Sequence, residues 1–211
     1  MMKYLFGYPR IGRRLIALIV STCLMGVGVA VFDQLGFGTD PCSVFNLALS
    51  RKIGWSFGNL QLTMNCILLL ILIALGELRR IGLGSLANMV LIGYVADFST
   101  WLINTIHPLS GEPFGTRIII FVPTMMMFLF AVCVYMTVGL GTAPYDALPM
   151  VIGDRQKKLP FSRVRMIWDI TVLSMGFLLG GTIGLVTLIT GFCLGPALGL
   201  LSKRIKPFFE A

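Results

Sequence analysis

The motif Gly-x-Gly-Thr-x-Pro occurs twice in this chain, at Gly36–Pro41 and at Gly139–Pro144, and each copy ends a long apolar run. A proline at the first position of a helix loses no hydrogen bond and already has a helical φ, so each motif predicts a new helix that starts at its proline. Helix starts within a bilayer present free backbone N–H groups and the positive end of the helix dipole to polar or anionic solutes. The sequence therefore predicts a solute site where two such helix starts meet near the midplane.

The side chains that can contact this solute belong to the two motifs and to polar positions in nearby apolar runs. Glycine supplies backbone freedom and close approach, and threonine supplies hydroxyls. Ionisable groups inside apolar runs usually face a bundle interior or water. The candidate substrate-binding residues are Gly36, Gly38, Thr39, Asp40, Pro41, Asn65, Asp97, Gly139, Gly141, Thr142, Pro144, Tyr145, Asp146 and Asp169.

Each candidate carboxylate also has a purely structural interpretation. Asp40 fits the N-cap of the first motif's helix, and Asp146 would be the third residue of the second, where it opposes the helix dipole. Asp169 follows Arg165 by one helical turn and can form a local ion pair. Asp97 can be a solvated helix end. The sequence leaves both interpretations open.

Other apolar runs carry aromatic and small residues in defined places. Most tryptophans and tyrosines stand near the ends of the runs, as interfacial anchors do, but Tyr135 and Tyr145 flank the second motif and can instead line a cavity. Glycine recurs at every fourth position of the last run, which predicts close helix packing, and a proline there predicts a bend. These residues are Gly191, Gly195, Gly199 and Pro196.

The composition excludes an ordinary soluble domain and argues against an enzyme. Of 211 residues, 56% are hydrophobic and 12% are charged, whereas about a quarter are charged in soluble domains. The basic residues behind the net charge of +8 lie mainly in short loops and termini. This distribution indicates that they set the membrane topology and contact anionic lipid headgroups rather than nucleic acid. Five cysteines without a CxxC pair and a single loop histidine, His107, predict no metal site or cofactor. No motif links the carboxylates to a nucleophile, so we predict no catalytic residues.

The apolar runs predict an all-α integral membrane protein with six transmembrane helices, in a single domain over residues 1–211. They form two three-span repeats, at about 14–106 and 117–203. Each repeat also holds a segment too short to cross the bilayer as a helix, which predicts a re-entrant or interfacial helix that starts with proline. The predicted spans are Leu15–Leu35, 59–76, 82–106, Ile118–Val138, 164–180 and Ile183–Leu201, and the short segments are Pro41–Ile53 and Pro144–Gly153.

Three spans per repeat make the second repeat inverted relative to the first. In each pair of matched loops the more basic member then lies inside the cell: Arg155–Arg165 rather than Arg51-Lys52, and Arg79-Arg80 rather than Gly181-Thr182. If the short segments also crossed, the repeats would be parallel, and the overall charge bias does not exclude this. Both arrangements place the two termini in the cytoplasm.

The two motifs also carry a family resemblance. Gly-Phe-Gly-Thr-Asp-Pro at Gly36–Pro41, Gly-Leu-Gly-Thr-Ala-Pro-Tyr-Asp-Ala-Leu at Gly139–Leu148 and the order of spans resemble the YczE/YyaS/YitT family of bacterial integral membrane proteins, most of all its YczE-like branch. The resemblance implies a multi-pass protein of the bacterial plasma membrane, without an established substrate. The first copy continues with Cys42-Ser43 where the second has Tyr145-Asp146, so the two halves are not equivalent.

We therefore expect a small-solute secondary transporter or permease with its site between the two motifs. Its partners would be the lipid bilayer and an unidentified small solute, and a homo-oligomer is compatible with the sequence. The alternative is a membrane scaffold or regulator of a biosynthetic or export system that transports nothing. That alternative predicts a packed core without a polar cavity and a stable protein partner.

Overall fold

The computed structural model describes residues 10–156 and 158–210, except for the side chains of residues 192–200, 202–203 and 210. Within these ranges the regular structure is helical, with short 3₁₀ turns at Leu78–Arg80 and Leu109–Gly111. In chain order the helices are α1 (Ile11–Leu35), α2 (Pro41–Ile53), α3 (Phe57–Ala74), α4 (Leu83–Ile106), α5 (Phe114–Val138), α6 (Pro144–Gln156), α7 (Phe161–Leu178) and α8 (Leu185–Glu210).

Four of the described helices, α1, α3, α4 and α5, are long and apolar enough to cross a bilayer. Helix α7 has 18 residues but carries Arg163, Arg165 and Asp169, and the middle of α8 lies among the undescribed side chains. An all-helical, multi-pass membrane protein is thus confirmed. The six-span arrangement in two repeats stays a prediction.

Helices α1 and α5 lie antiparallel and share an aromatic core. The ring of Phe32, which is fully buried, lies 5.5 Å from that of Phe128 and 6.0 Å from that of Phe121. At the end of α1, the Phe37 ring lies edge-on to Phe121 at 5.2 Å and to Phe114 at 6.2 Å. Tilted and edge-on contacts are the favoured geometries of aromatic pairs. The end of α1 is therefore fixed beside the start of α5.

An arginine near the start of each of these two helices contacts the end of the other. Arg14 is 7% exposed and donates from Nη1 to the Val138 carbonyl at 2.5 Å, at the end of α5. At the opposite end of the pair, the Arg117 guanidinium lies over the Phe37 ring at 5.0 Å. A cation at a helix C-terminus is favourable because it offsets the negative end of the dipole.

Each short helix packs on a long helix from the other half of the chain. Helix α2 lies against α7, where a Cβ atom on Gly176 would be 3.0 Å from the Phe45 Cα atom. Helix α6 lies against α3, where Leu72 is buried with Ala147 and Leu148. The short helices therefore join the two halves of the chain.

The predicted helix starts at Pro41 and Pro144 are confirmed, and most other boundaries differ by a few residues. The last helix extends beyond the predicted span. The sequence predicts that this span ends at Leu201, before three basic residues, and α8 continues as a helix to Glu210. Phe209 is buried there, and its carbonyl accepts a hydrogen bond from Arg14 Nη2 at 3.1 Å. This contact with α1 keeps the basic end helical. The bend predicted at Gly195-Pro196 and the packing predicted at Gly199 fall on side chains outside the described residues.

Replacing Arg14 with glutamine should destabilise the protein. The change leaves the Val138 and Phe209 carbonyls without their donor, which costs about 1–3 kcal/mol for each buried group. We expect a clear drop in the midpoint of thermal unfolding of the detergent-purified protein. Arg13→Gln is the matched control, because Arg13 is exposed and only stacks on Phe208. Equal midpoints for the two variants would contradict this role of Arg14.

Candidate functional site

Both motifs begin with a glycine that ends a long helix in the left-handed conformation. Gly36 ends α1 with φ 69° and ψ 20°, and Gly139 ends α5 with φ 69° and ψ 23°. Glycine adopts this conformation without the steric cost that a side chain would impose. Each motif therefore turns the chain away from its helix at the same point.

The two motifs leave the α1/α5 pair at opposite ends and then converge. The stretch from Arg14 to Leu35 is about 30 Å long at the rise of an α-helix, and each end lies beside one motif. Helix α2 packs on α7, and Arg165 of α7 binds Asp146 at the start of α6. The two short helices therefore both lie beside α7, and the Asp146 and Asp169 carboxylates interact electrostatically with Asp40 at the start of α2.

The first motif is held by the start of α8. A Cβ atom on Gly38 would lie 2.6 Å from a backbone nitrogen just before α8, so the two backbones cross in contact. The Phe37 carbonyl accepts a hydrogen bond from the Val186 N–H group at 3.0 Å, and the Thr39 carbonyl accepts one from Thr187 Oγ1 at 2.7 Å.

The second motif is held in the same way by the start of α4. A Cβ atom on Gly141 would lie 2.6 Å from a backbone nitrogen just before α4. The Leu140 carbonyl accepts a hydrogen bond from the Gly84 N–H group at 2.8 Å, and the Thr142 carbonyl accepts one from Ser85 Oγ at 2.5 Å. In each motif the close approach that glycine permits is therefore an approach of two backbones. A solute between the motifs would meet side chains at the helix starts instead.

Those side chains form a half-buried group that we call the polar recess. Arg165 joins its members: Nη1 donates to Asp146 Oδ1 at 2.6 Å and Nε donates to Asp169 Oδ2 at 2.8 Å. The Tyr145 hydroxyl donates to Asp169 Oδ1 at 2.7 Å, and the guanidinium lies over the tyrosine ring at 5.4 Å. Side-chain exposure is 27% for Arg165 and 20% for each of these two carboxylates. The polar recess comprises Tyr145, Asp146, Arg165 and Asp169, joined by these contacts, and also Asp40 and Cys42 at the start of α2, which interact with them electrostatically.

The structural interpretations of these carboxylates are confirmed. Asp40 is the N-cap of α2 and accepts a hydrogen bond from the Ser43 N–H group at 3.2 Å. Asp146 is the third residue of α6, and Asp169 pairs with Arg165 one turn away. The sequence analysis missed the bridge from Arg165 to Asp146, because helical spacing cannot reveal a contact between two helices.

A neutral group of amides occupies the corresponding place in the first half of the chain. Asn46 donates to Gln61 Oε1, and Asn65 Nδ2 donates to the Gln61 carbonyl at 2.9 Å. All three side chains are buried. Asn65 Oδ1 has no hydrogen-bond partner among the residues that the structure describes. Sequence reasoning singled out Asn65 alone, although Asn46 and Gln61 stand at helical spacing from Cys42 and Asn65.

Asp97 has a different environment from the polar recess. Its carboxylate accepts hydrogen bonds from the Phe57 N–H group at 3.1 Å and the Gly58 N–H group at 2.8 Å, so it caps α3 from the neighbouring α4. One turn earlier, Gly93 lies so close to Gly58 that a Cβ atom would be 2.7 Å from its Cα atom. Gly93 and Asp97 therefore lie on the face of α4 that packs against α3.

Asp97 also lines an open cleft of about 310 Å³ between the ends of α1, α2 and α4 and the start of α3. On one wall, Arg51 Nη2 lies 2.6 Å from both carboxylate oxygens of Asp33. The same ion pair borders a smaller space that is lined by Gly38 and Thr39. The Arg51–Asp33 pair thus stands between the cleft and the first motif.

Gly141→Ala should destabilise the protein strongly. Gly141 has φ +110°, and its Cβ atom would collide with the backbone before α4, so we expect a loss of about 2–4 kcal/mol. Thermal unfolding in detergent measures this loss. The matched control is Gly153→Ala, where the nearest atom of another residue is 3.7 Å from the new Cβ atom. Equal unfolding midpoints for the two variants would show that the crossing of the two backbones does not constrain the fold.

Comparison with known proteins gives a family but no activity. The model of a family of unknown function, DUF6198, matches residues 12–203. The chain is 27% identical to the uncharacterized protein YyaS of Bacillus subtilis over 90% of this chain and 91% of the relative. It is 27% identical to the uncharacterized membrane protein YczE of the same organism, over 82% and 77%. An uncharacterized protein of Haemophilus influenzae is 26% identical over 84% and 78%.

No solved structure matches the chain. The relatives confirm the predicted resemblance to YczE and YyaS, whereas the wider link to YitT stays a prediction. With its apolar helices and a family match over nearly its whole length, this chain belongs to the DUF6198 family of YczE/YyaS-like membrane proteins.

Proposed function

We propose that the protein is a small-solute secondary transporter or permease whose solute binds in the polar recess. The observation that carries the proposal is that both short helices, whose motifs leave opposite ends of the α1/α5 pair, lie beside the charged side chains of α7. Broken helices with polar side chains at the break are a recurrent design of transporter sites. Ionisable side chains inside a helical bundle often mark the path of a solute or an ion.

We further propose that the chain consists of two inverted copies of one unit, with α2 and α6 as re-entrant helices. The matched helices have 25 and 25, 13 and 13, 18 and 18, and 24 and 26 residues. Matched helices begin roughly a hundred residues apart. Inverted units support alternating access, because one unit can rock against the other around a central site.

Access from the cleft is part of the same proposal. The cleft and the smaller space at Gly38 share the Arg51–Asp33 pair, so breaking this pair would connect the cleft with the first motif. By the distribution of Lys and Arg, this side faces away from the cytoplasm, with both termini inside. A homo-oligomer stays a prediction from the sequence alone.

One observation favours the alternative of a scaffold or regulator without transport. The backbones of both motifs are covered by the starts of α8 and α4 rather than by a cavity. Irregular backbone within a membrane requires cover by protein or water, and here protein supplies it. The two functions differ in one accessible property: a transporter needs water to reach the polar recess.

Cys42 can report whether water reaches the recess. In a variant with Cys42 as its only cysteine, we expect reaction with a membrane-impermeant methanethiosulfonate from at least one face of oriented membrane vesicles. The matched control retains only Cys66, which lies exposed on the apolar helix α3 and should not react, because a membrane-impermeant reagent does not enter the lipid that covers an apolar helix. Failure of Cys42 to react from either face would favour the scaffold.

The Arg51–Asp33 pair should slow this reaction from the cleft side. Asp33→Asn in the Cys42-only variant should speed labelling about threefold to fivefold, since a partly exposed ion pair contributes at most about 1 kcal/mol. Asp154→Asn is the control, because Asp154 pairs with Arg80 away from the cleft. Equal rates in both variants would remove the pair from the proposed route.

A further inference from the structure

We propose that the cleft between the ends of α1, α2 and α4 and the start of α3 binds a free amino acid with an apolar side chain. The proposal concerns the cleft itself and requires neither the polar recess nor transport. The lining offers a separate partner to each part of such a molecule: the side chain, the carboxylate and the ammonium group.

The buried part of the cleft fits the apolar side chain. The cleft volume of about 310 Å³ lies at the lower end of the range of ligand pockets, about 300–1,000 Å³. Its floor is apolar, because Val29 and Ala30 of α1, Phe57 of α3 and Ala96 of α4 line it and are each at most 6% exposed. An aliphatic group that enters this floor leaves water, which is favourable in proportion to the apolar area it buries.

Arg51 supplies the donors for the carboxylate. Its Nη2 atom contacts both oxygens of Asp33, and its Nε and Nη1 atoms bind no other group in the part of the chain that the structure describes. The Arg51 side chain lines the cleft and is 54% exposed. A guanidinium holds five N–H donors in a planar fork, so a second carboxylate can bind to the unused donors.

Asp97 and Trp55 supply the partners for the ammonium group. Each Asp97 oxygen accepts one backbone N–H group at the start of α3, which uses two of the carboxylate's roughly four lone-pair sites. Trp55 is half exposed and lines the same cleft. Among aromatic side chains tryptophan attracts cations most strongly, and a carboxylate accepts their N–H groups in charge-assisted hydrogen bonds.

The charges of the lining favour a ligand without net charge. Asp33 and Asp97 are negative and Arg51 is positive, and the start of α3 adds roughly half a positive charge. The lining is therefore close to neutral. A simple amine would meet the Arg51 guanidinium, and a simple carboxylate would meet the two aspartates. A zwitterion can pair each of its charges with the opposite charge and leaves the balance unchanged.

Thermal unfolding of the detergent-purified full-length protein tests the inference with L-leucine as the probe. Three compounds each lack one part of leucine: isopentylamine lacks the carboxylate, isocaproate lacks the ammonium group and glycine lacks the side chain. All are compared at equal concentration and ionic strength. We expect a saturable rise of the unfolding midpoint with leucine that exceeds the rise with each other compound, because a ligand of the folded state stabilises it. No saturable rise with leucine, or an equal rise with isopentylamine or isocaproate, would overturn the inference.

Arg51→Gln locates the binding, and its exposed position makes the variant compatible with folding. We expect the apparent affinity for leucine to fall at least about tenfold, because a charge-assisted hydrogen bond is lost. Lys52→Gln is the matched control: it removes the same charge from the adjacent exposed residue, which does not line the cleft, and should leave the affinity unchanged. Trp55→Leu should weaken leucine binding about threefold. An affinity that survives Arg51→Gln, or that falls equally in Lys52→Gln, would overturn the assignment to the cleft.

This binding experiment does not depend on transport. Saturable leucine binding that requires Arg51 supports the cleft site even where proteoliposomes take up no leucine. The reaction of Cys42 tests access to the polar recess without any amino acid present. The two proposals can therefore fail separately.

Discussion

The fold depends on two backbone crossings in which each Gly-x-Gly-Thr-x-Pro motif is held by a helix start from the other half of the chain. The hydrogen bonds from Gly84 to Leu140 and from Val186 to Phe37 supply donors that the broken helices lack. In a bilayer an unsatisfied carbonyl costs several kcal/mol. The break after each long helix is stable because the opposite half of the chain completes the hydrogen bonding.

This shared framework carries different chemistry in its two halves. Around Gln61 the polar side chains are neutral amides, whereas around Arg165 they are charged. Helices of equal length thus carry a neutral polar group in one half of the chain and a charged one in the other. The backbone crossings therefore fix the fold in both halves, and the polar side chains around them can differ between the halves without changing those crossings.

Much of the fold was predictable because it depends on local signals. Proline and glycine mark the helix starts and ends, and apolar runs mark the long helices, so α2 and α6 begin where the sequence predicts. The candidate site was predictable only in part. Asp40 and Asp169 carry local signals, namely capping and helical spacing. Arg165 bridges to Asp146, and Asp97 caps α3. Both contacts join helices that are separate in sequence. Nothing in the local pattern specifies them.

The exchange of helix starts between halves also sets an order for biosynthesis. Helix α8 leaves the ribosome after the other seven described helices, yet its first turn supplies the donors for the Phe37 and Thr39 carbonyls in the first half of the chain. Until that turn has been synthesised, the first motif lacks these two hydrogen-bond donors. Its folding is completed by the C-terminal segment.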